Sequence, residues 1–248
     1  GGISLNDAPY VSIYNNTIVK NITTATAMTS NGLPAPAGLS SSANSQPLNV
    51  WLYGDRNGAY DCLDDNVDCF SNPDLFNNVF WDNRAGTWTG GGVAGIGQEG
   101  DTTPIFHGDL GVADGAGLLS PTNSEMQVPN GVWSDSNTVG EDPIFVEEYD
   151  LGVRVFPWRG NPNFIGADIV AVDVPLGQMG DYHLNSGISP AVVLETIKGP
   201  DTDIDDQVRA NKPDAGADEY VLIIQPQSIE DRPFKYYLPL IMAEGTSP

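Results

Sequence analysis

The chain has 248 residues, 40% of them hydrophobic, and a formal net charge of −23 from 33 acidic against 10 basic residues. That charge excludes nucleic acid and anionic membrane surfaces as partners, since both need clustered Lys and Arg, and the apolar content excludes a disordered chain. With 28 Gly and 19 Pro, helix is disfavoured along most of the length, so β structure and loops are expected.

Ile3-Ser4-Leu5 and Val11-Ser12-Ile13-Tyr14 alternate with a period of two, as strands do, and Asn6-Asp7-Ala8-Pro9 turns the chain between them. Asn15-Asn16-Thr17-Ile18-Val19-Lys20-Asn21 then returns as Asn77-Asn78-Val79-Phe80-Trp81-Asp82-Asn83, an offset of 62 residues. Recurrence of a fixed pattern predicts stacked turns of a solenoid. Asparagine suits its corners because it tolerates the left-handed region and hydrogen-bonds locally. Residues 1–140 are therefore expected to form coils interrupted by three inserted loops, 28–47, 54–74 and 84–140, with a strand at 48–53. Residues 141–220 follow as a closing module whose apolar runs, such as Ile169-Val170-Ala171-Val172, predict strands. Residues 221–248 are expected to be a strand and an extended tail ending in Tyr236-Tyr237-Leu238-Pro239-Leu240-Ile241. The longest apolar stretches, such as Val221-Leu222-Ile223-Ile224, are far too short to span a membrane.

Residues 1–21 resemble the right-handed parallel β-helix repeats of secreted bacterial proteins, the pectin-lyase-like superfamily. Three further blocks occur in order: Asp142-Pro143-Ile144-Phe145, Asp181-Tyr182-His183-Leu184 with Ser186-Gly187 and Ser189-Pro190-Ala191, and Asp214-Ala215-Gly216-Ala217-Asp218-Glu219-Tyr220. They are similar to the terminal module of large bacterial surface β-helix proteins, with its DPxF, YHLxxGSPA and DxGADEY signatures. Ile188 is an insertion in the middle block, and Val192-Val193 stands where the usual Ile-Asp follows. The resemblance implies an all-β, right-handed parallel β-helix in an extracellular or cell-surface protein of structural or adhesive role. A β-helix that opens at Gly1-Gly2 inside a coil is expected to meet a partner there, either the upstream part of a longer precursor or another subunit. The alternative is a carbohydrate-active lyase or hydrolase, or a sugar-binding module, with its site mainly on upstream coils; cell-surface glycan would then be the partner.

Candidate chemistry is sparse. Cys62 and Cys69 are separated by six residues in an acidic loop. That spacing rules out a CxxC pair, and like-charge repulsion disfavours a reactive thiolate. A local disulfide is expected, in an oxidising compartment, with two free thiols as the alternative. Asp201-Thr202-Asp203-Ile204-Asp205-Asp206 alternates carboxylates as calcium loops do, although it lacks the glycine and distal Glu of an EF-hand. Asp201, Asp203, Asp205 and Asp206 are thus candidate calcium ligands, with a solvated acidic turn as the alternative. Asp64, Asp65, Asn66 and Asp68 are a second, weaker set. Of the two histidines, His183 falls in the alternating Asp-Tyr-His-Leu block, where a structural role is expected, while His107 stays open. GxSxG and phosphate-loop motifs are missing. The ten basic residues are scattered, and no two of them recur at coil spacing beside a carboxylate cluster, which counts against lyase chemistry. No catalytic residue and no organic cofactor is assigned.

Overall fold

The computed structural model describes residues 1–24, 34–54, 68–89, 92–113, 115, 117–132, 134–149, 152–158, 167–173, 180–192 and 199–221. These residues form an all-β fold with a single helix. In chain order the elements are β1 (Ile3–Leu5), β2 (Ser12–Tyr14), β3 (Thr17–Val19), β4 (Ile22–Thr23), β5 (Leu39–Ser41), α1 (Gln46–Tyr53), β6 (Asp74–Phe76), β7 (Val79–Trp81) and β8 (Arg84–Ala85). They continue with β9 (Thr87–Trp88), β10 (Val93–Ala94), β11 (Leu110–Val112), β12 (Glu125–Met126), β13 (Thr138–Val139), β14 (Phe145–Glu147), β15 (Gly152–Trp158), β16 (Ala167–Asp173) and β17 (Asp181–Leu184). Among the described residues, no helix is long and apolar enough to cross a membrane.

Apart from the antiparallel β9–β10 pair, the strands of the first half pair in parallel. β2, β3 and β4 lie in register on β6, β7 and β8, with Ser12 opposite Asp74, Thr17 opposite Val79 and Ile22 opposite Arg84. The sheets extend as β1-β5-β11 and β3-β7-β12-β13, so each of β1 to β4 is a terminal strand of its sheet. In the second half, β14 with β17 and β15 with β16 are antiparallel.

Asparagines hold the corners between these short strands. Asn15, Asn77 and Asn123 have φ of 53°, 57° and 44°, the left-handed region that asparagine tolerates. At the next corner the same conformation falls on Lys20 and Asp82, one residue before the repeated asparagine. The following side chains form ladders. Asn78 Oδ1 accepts from Asn16 N at 3.1 Å and Nδ2 at 3.3 Å, and Asn78 Nδ2 donates to Ile13 O at 2.8 Å. Asn83 Oδ1 accepts from Asn21 Nδ2 at 2.9 Å, while its Nδ2 donates to Ile18 O at 2.8 Å and Asp109 Oδ1 at 3.1 Å. Backbone groups at the corners, which no ladder between strands can satisfy, are thereby paired within the protein.

Two layers of apolar contact follow from strand alternation. Ile18, Phe80 and Met126 point to one side of the β3-β7-β12-β13 sheet and join Ile13, Leu39, Leu75, Leu110 and Leu119 in the main core. Val79 points to the other side, where Phe145, Leu184, Ala191 and Ala215 cover it. A strand buried on both faces reads as continuous apolar sequence, as Val79-Phe80-Trp81 does. Gly216 seals the contact: its φ is 94°, and a Cβ there would stand 2.8 Å from Thr17 Oγ1.

The inserted loops need correction. β5 lies within 28–47, and β11, β12 and β13 lie within 84–140 as members of the parallel sheets. Leu39-Ser40-Ser41 and Leu110-Gly111-Val112 carry little strand propensity of their own. They are held by stacking, with the fully buried Leu39 in register with Leu110. Residues 48–53, expected as a strand, belong to α1. Ser45 Oγ accepts from Leu48 N at 3.4 Å, Pro47 sits in the first turn and Gly54 ends the helix at φ 84°. Most of the loop 54–74 and the tail after residue 221 lie outside the described residues.

Candidate functional site

The only histidine–carboxylate cluster with metal-ligand geometry among the described residues is in the C-terminal segment. It draws on β17, on the acidic turn 201–208 and on the 214–220 loop. β17 carries Asp181 and His183 on one face, two residues apart. His183 Nδ1 contacts Asp181 Oδ1, and its Nε2 lies 2.9 Å from Asp205 Oδ2. Asp218, buried, accepts from the backbone N–H of Leu184 at 2.7 Å through Oδ2. One ligand atom each from His183, Asp205 and Asp218 can be chosen with all three within 4.8 Å of one another.

The acidic turn is built around Asp203. Its buried carboxylate accepts from Asp205 N at 2.9 Å and Gln207 N at 2.8 Å through Oδ1, and from Glu219 N at 3.3 Å through Oδ2. Asp203 is thereby committed to shaping the turn. Asp206 occupies the left-handed corner at φ 64°, and Asp201 contributes its carbonyl to Arg209 N. Of the four expected calcium ligands, only Asp205 joins the histidine cluster.

Arg209 ties the turn to the loop. Its buried guanidinium donates to the carbonyls of Gly216 at 3.0 Å and Ala217 at 2.7 Å, and lies 3.4 Å from Glu219 Oε2. Glu219 in turn accepts from Ala210 N and Asp214 N, and Asp214 Oδ2 accepts from Tyr220 N. The acids of the 214–220 motif are therefore internal acceptors as well as charges.

Charge sets the protonation of this cluster. Burial pulls the His183 pKa down, but the Asp181 hydrogen bond and the charges of Asp218, Asp181 and Asp205 outweigh it and hold the ring above its ordinary value. Asp218 is raised by burial first and by Asp203 and Asp205, against the Leu184 N–H and His183.

A second charged group lies at the Lys20 corner. Lys20 Nζ is 3.1 Å from Asp82 and 2.8 Å from Glu148, and Arg84 grips Asp82 through two bonds of 2.8 and 2.9 Å. Lys20 and Asp82 stand 62 residues apart, a base paired with an acid rather than two bases recurring at coil spacing. Burial acts first on both, lowering Lys20 and raising Asp82. The ion pairs overcome it, leaving Lys20 raised and Asp82 lowered. His107 sits 3.9 Å from Asp82, with its pKa lowered mainly by burial. The Lys20, Asp82 and Arg84 side chains are only 9–12% exposed, so the group is a dry clamp rather than an open groove.

The remaining candidates separate. Cys62, Asp64, Asp65 and Asn66 lie outside the described residues. Cys69 is buried and is not a free thiol. Asp68 accepts from Asn72 Nδ2 at 3.0 Å. Sequence reasoning placed His183 in a structural role because its strand context is legible locally. Asp205 and Asp218 reach it only through the tertiary fold. Comparison with protein-family models, curated proteins and solved structures found no match for the chain.

Proposed function

We propose that the chain is a right-handed parallel β-helix that serves as a non-catalytic structural or adhesive element outside the cell or on its surface, within a larger assembly. The carrying observation is that, among the described residues, β1 to β4 are all terminal strands, each with its parallel neighbour inside the chain. Four consecutive edges facing the same way form a template for one more coil. Upstream sequence of the same precursor, or another subunit, is the partner that supplies it. The net charge of −23 suits an exterior setting with salt and divalent cations, and a Cys62–Cys69 disulfide belongs to the same reading.

The edge can be blocked selectively. Val11 O accepts from Asp74 N and Asn15 N donates to Phe76 O, so alternation turns the Ser12 N–H to the open side. Without an upstream coil present, the edge is expected to find a second copy. Sedimentation velocity should then detect concentration-dependent species above the 26.4 kDa monomer, and Ser12→Pro should return them to monomer by removing an edge donor. A wild-type monomer at every concentration, or a distribution unchanged by the proline, contradicts this assembly mode.

A further inference from the structure

We propose that His183, Asp205 and Asp218 bind a divalent transition-metal ion of the zinc class, which ties the acidic turn and the 214–220 loop to β17. The inference does not depend on the solenoid reading, since it rests on side chains of the C-terminal segment alone.

The imidazole carries the argument. With Nδ1 donating to Asp181, a neutral ring leaves an unshared Nε2 lone pair beside Asp205 Oδ2, which is 2.9 Å away but off the lone-pair axis. Two electron-rich atoms at that distance repel unless a cation lies beside them. A proton would answer the charge of the carboxylates but would leave Nε2 without a directed partner. Nε2 is shut off from solvent and makes no well-directed hydrogen bond, so an added N–H would have no aligned acceptor. A metal ion satisfies the nitrogen and neutralises the carboxylates together. Asp181 then stands as the outer partner that fixes ring tautomer and orientation, as carboxylates do behind metal-bound histidines.

The donor set selects the ion. One imidazole nitrogen with two carboxylates suits zinc and its neighbours, whereas calcium takes oxygen ligands. Donors sharing one ion of this class lie about 3–4 Å apart, so a 4.8 Å envelope closes with a small rotation of Asp205, whose side chain is 51% exposed. That exposed side leaves room for water as a fourth ligand. Asp203, adjacent but fully committed to backbone N–H groups, stays outside the set.

The test uses the whole chain, stripped of metal and titrated with zinc chloride while the imidazole proton resonances are followed by NMR. The chain has two histidines, so the responding ring is identified with a His107→Gln variant. The expected result is saturable one-to-one uptake in which only His183 responds. Asp205→Asn, at a half-exposed turn position, should weaken it by about tenfold or more, as should Asp181→Asn acting through the ring. Asp201→Asn should bind like the wild type. Zinc should also raise the melting temperature by roughly 5–10 °C at a hundredfold excess over Kd. Absence of saturable uptake, a response of His107 instead, or unchanged affinity in Asp205→Asn overturns the proposal. So does uptake of zinc or calcium with silent imidazoles, which would place the ion on an oxygen-only acidic loop.

Discussion

Glu125 sits in β12 with its side chain fully buried and neither carboxylate oxygen hydrogen-bonded. It shares a column with Thr17, Val79 and Thr138 on the outer face of the sheet, where Val79 is covered by the C-terminal segment. Burial, reinforced by the charges of Asp142 and Glu141, pushes its pKa from 4.5 to about 9. The sign follows from linkage. The folded state keeps a proton that the unfolded chain releases above pH 4.5, so stability falls as pH rises from there to about 9 and then levels off. Each pH unit in that window removes about 1.4 kcal/mol. Glu125→Gln abolishes this titration. Urea unfolding at pH 5, 7 and 9 should therefore show the wild type losing stability relative to the variant across the series, and parallel pH curves would contradict the assignment. Asp109 is the contrasting case. Equally buried, it accepts from Asn83, Gln127 and Val128, and burial raises its pKa only to about 6.

Among the elements, strands of two or three residues cannot hold a sheet by propensity, and the corner ladders supply what they lack. Asn83 pairs four groups at once: the N–H and side-chain amide of Asn21, the Ile18 carbonyl and Asp109. Asn83→Ala leaves several of these buried without partners, each at about 1–3 kcal/mol. We expect a loss of about 3 kcal/mol or more in chemical denaturation, against less than about 0.5 kcal/mol for an exposed control such as Asn6→Ala. This also explains what could be read in advance. The asparagine pattern was legible because its residues act locally at corners. β5 and β11 were not, because Ser40 and Gly111 carry no strand signal and only the neighbouring strands position them. The apolar residues of helix α1 suit a strand equally well, and the signals that decide for the helix are the flanking Ser45 cap, Pro47 and Gly54.

On the scale of the molecule, the C-terminal segment lies against the sheet formed by the N-terminal repeats. Asn15 Nδ2 donates to Asp214 O at 2.9 Å, Ala217 N to Thr17 Oγ1 at 2.9 Å and Gly216 N to Asn77 O at 2.8 Å. Lys20 reaches Glu148 across the same junction. Residues about two hundred positions apart meet here, which is why the sequence blocks were readable singly but their contact was not. The His183 cluster has the same character: its members stand in separately recognisable motifs, and only the fold brings them together. The solenoid reading rests on residues 12–23 stacking in register on 74–85. Disulfide trapping tests that register most directly. Ser12 and Asp74 face each other, with Ser12 Oγ 3.5 Å from Asp74 Oδ2, and adjacent strands lie about 4.8 Å apart, within the range a disulfide spans. Mild oxidation of a Ser12→Cys, Asp74→Cys double variant, followed by peptide mapping, should give the 12–74 crosslink in folded monomer. A Ser12→Cys, Glu147→Cys pair should give none. Absence of the 12–74 crosslink, or equal yield from the control pair, would contradict the stacked register.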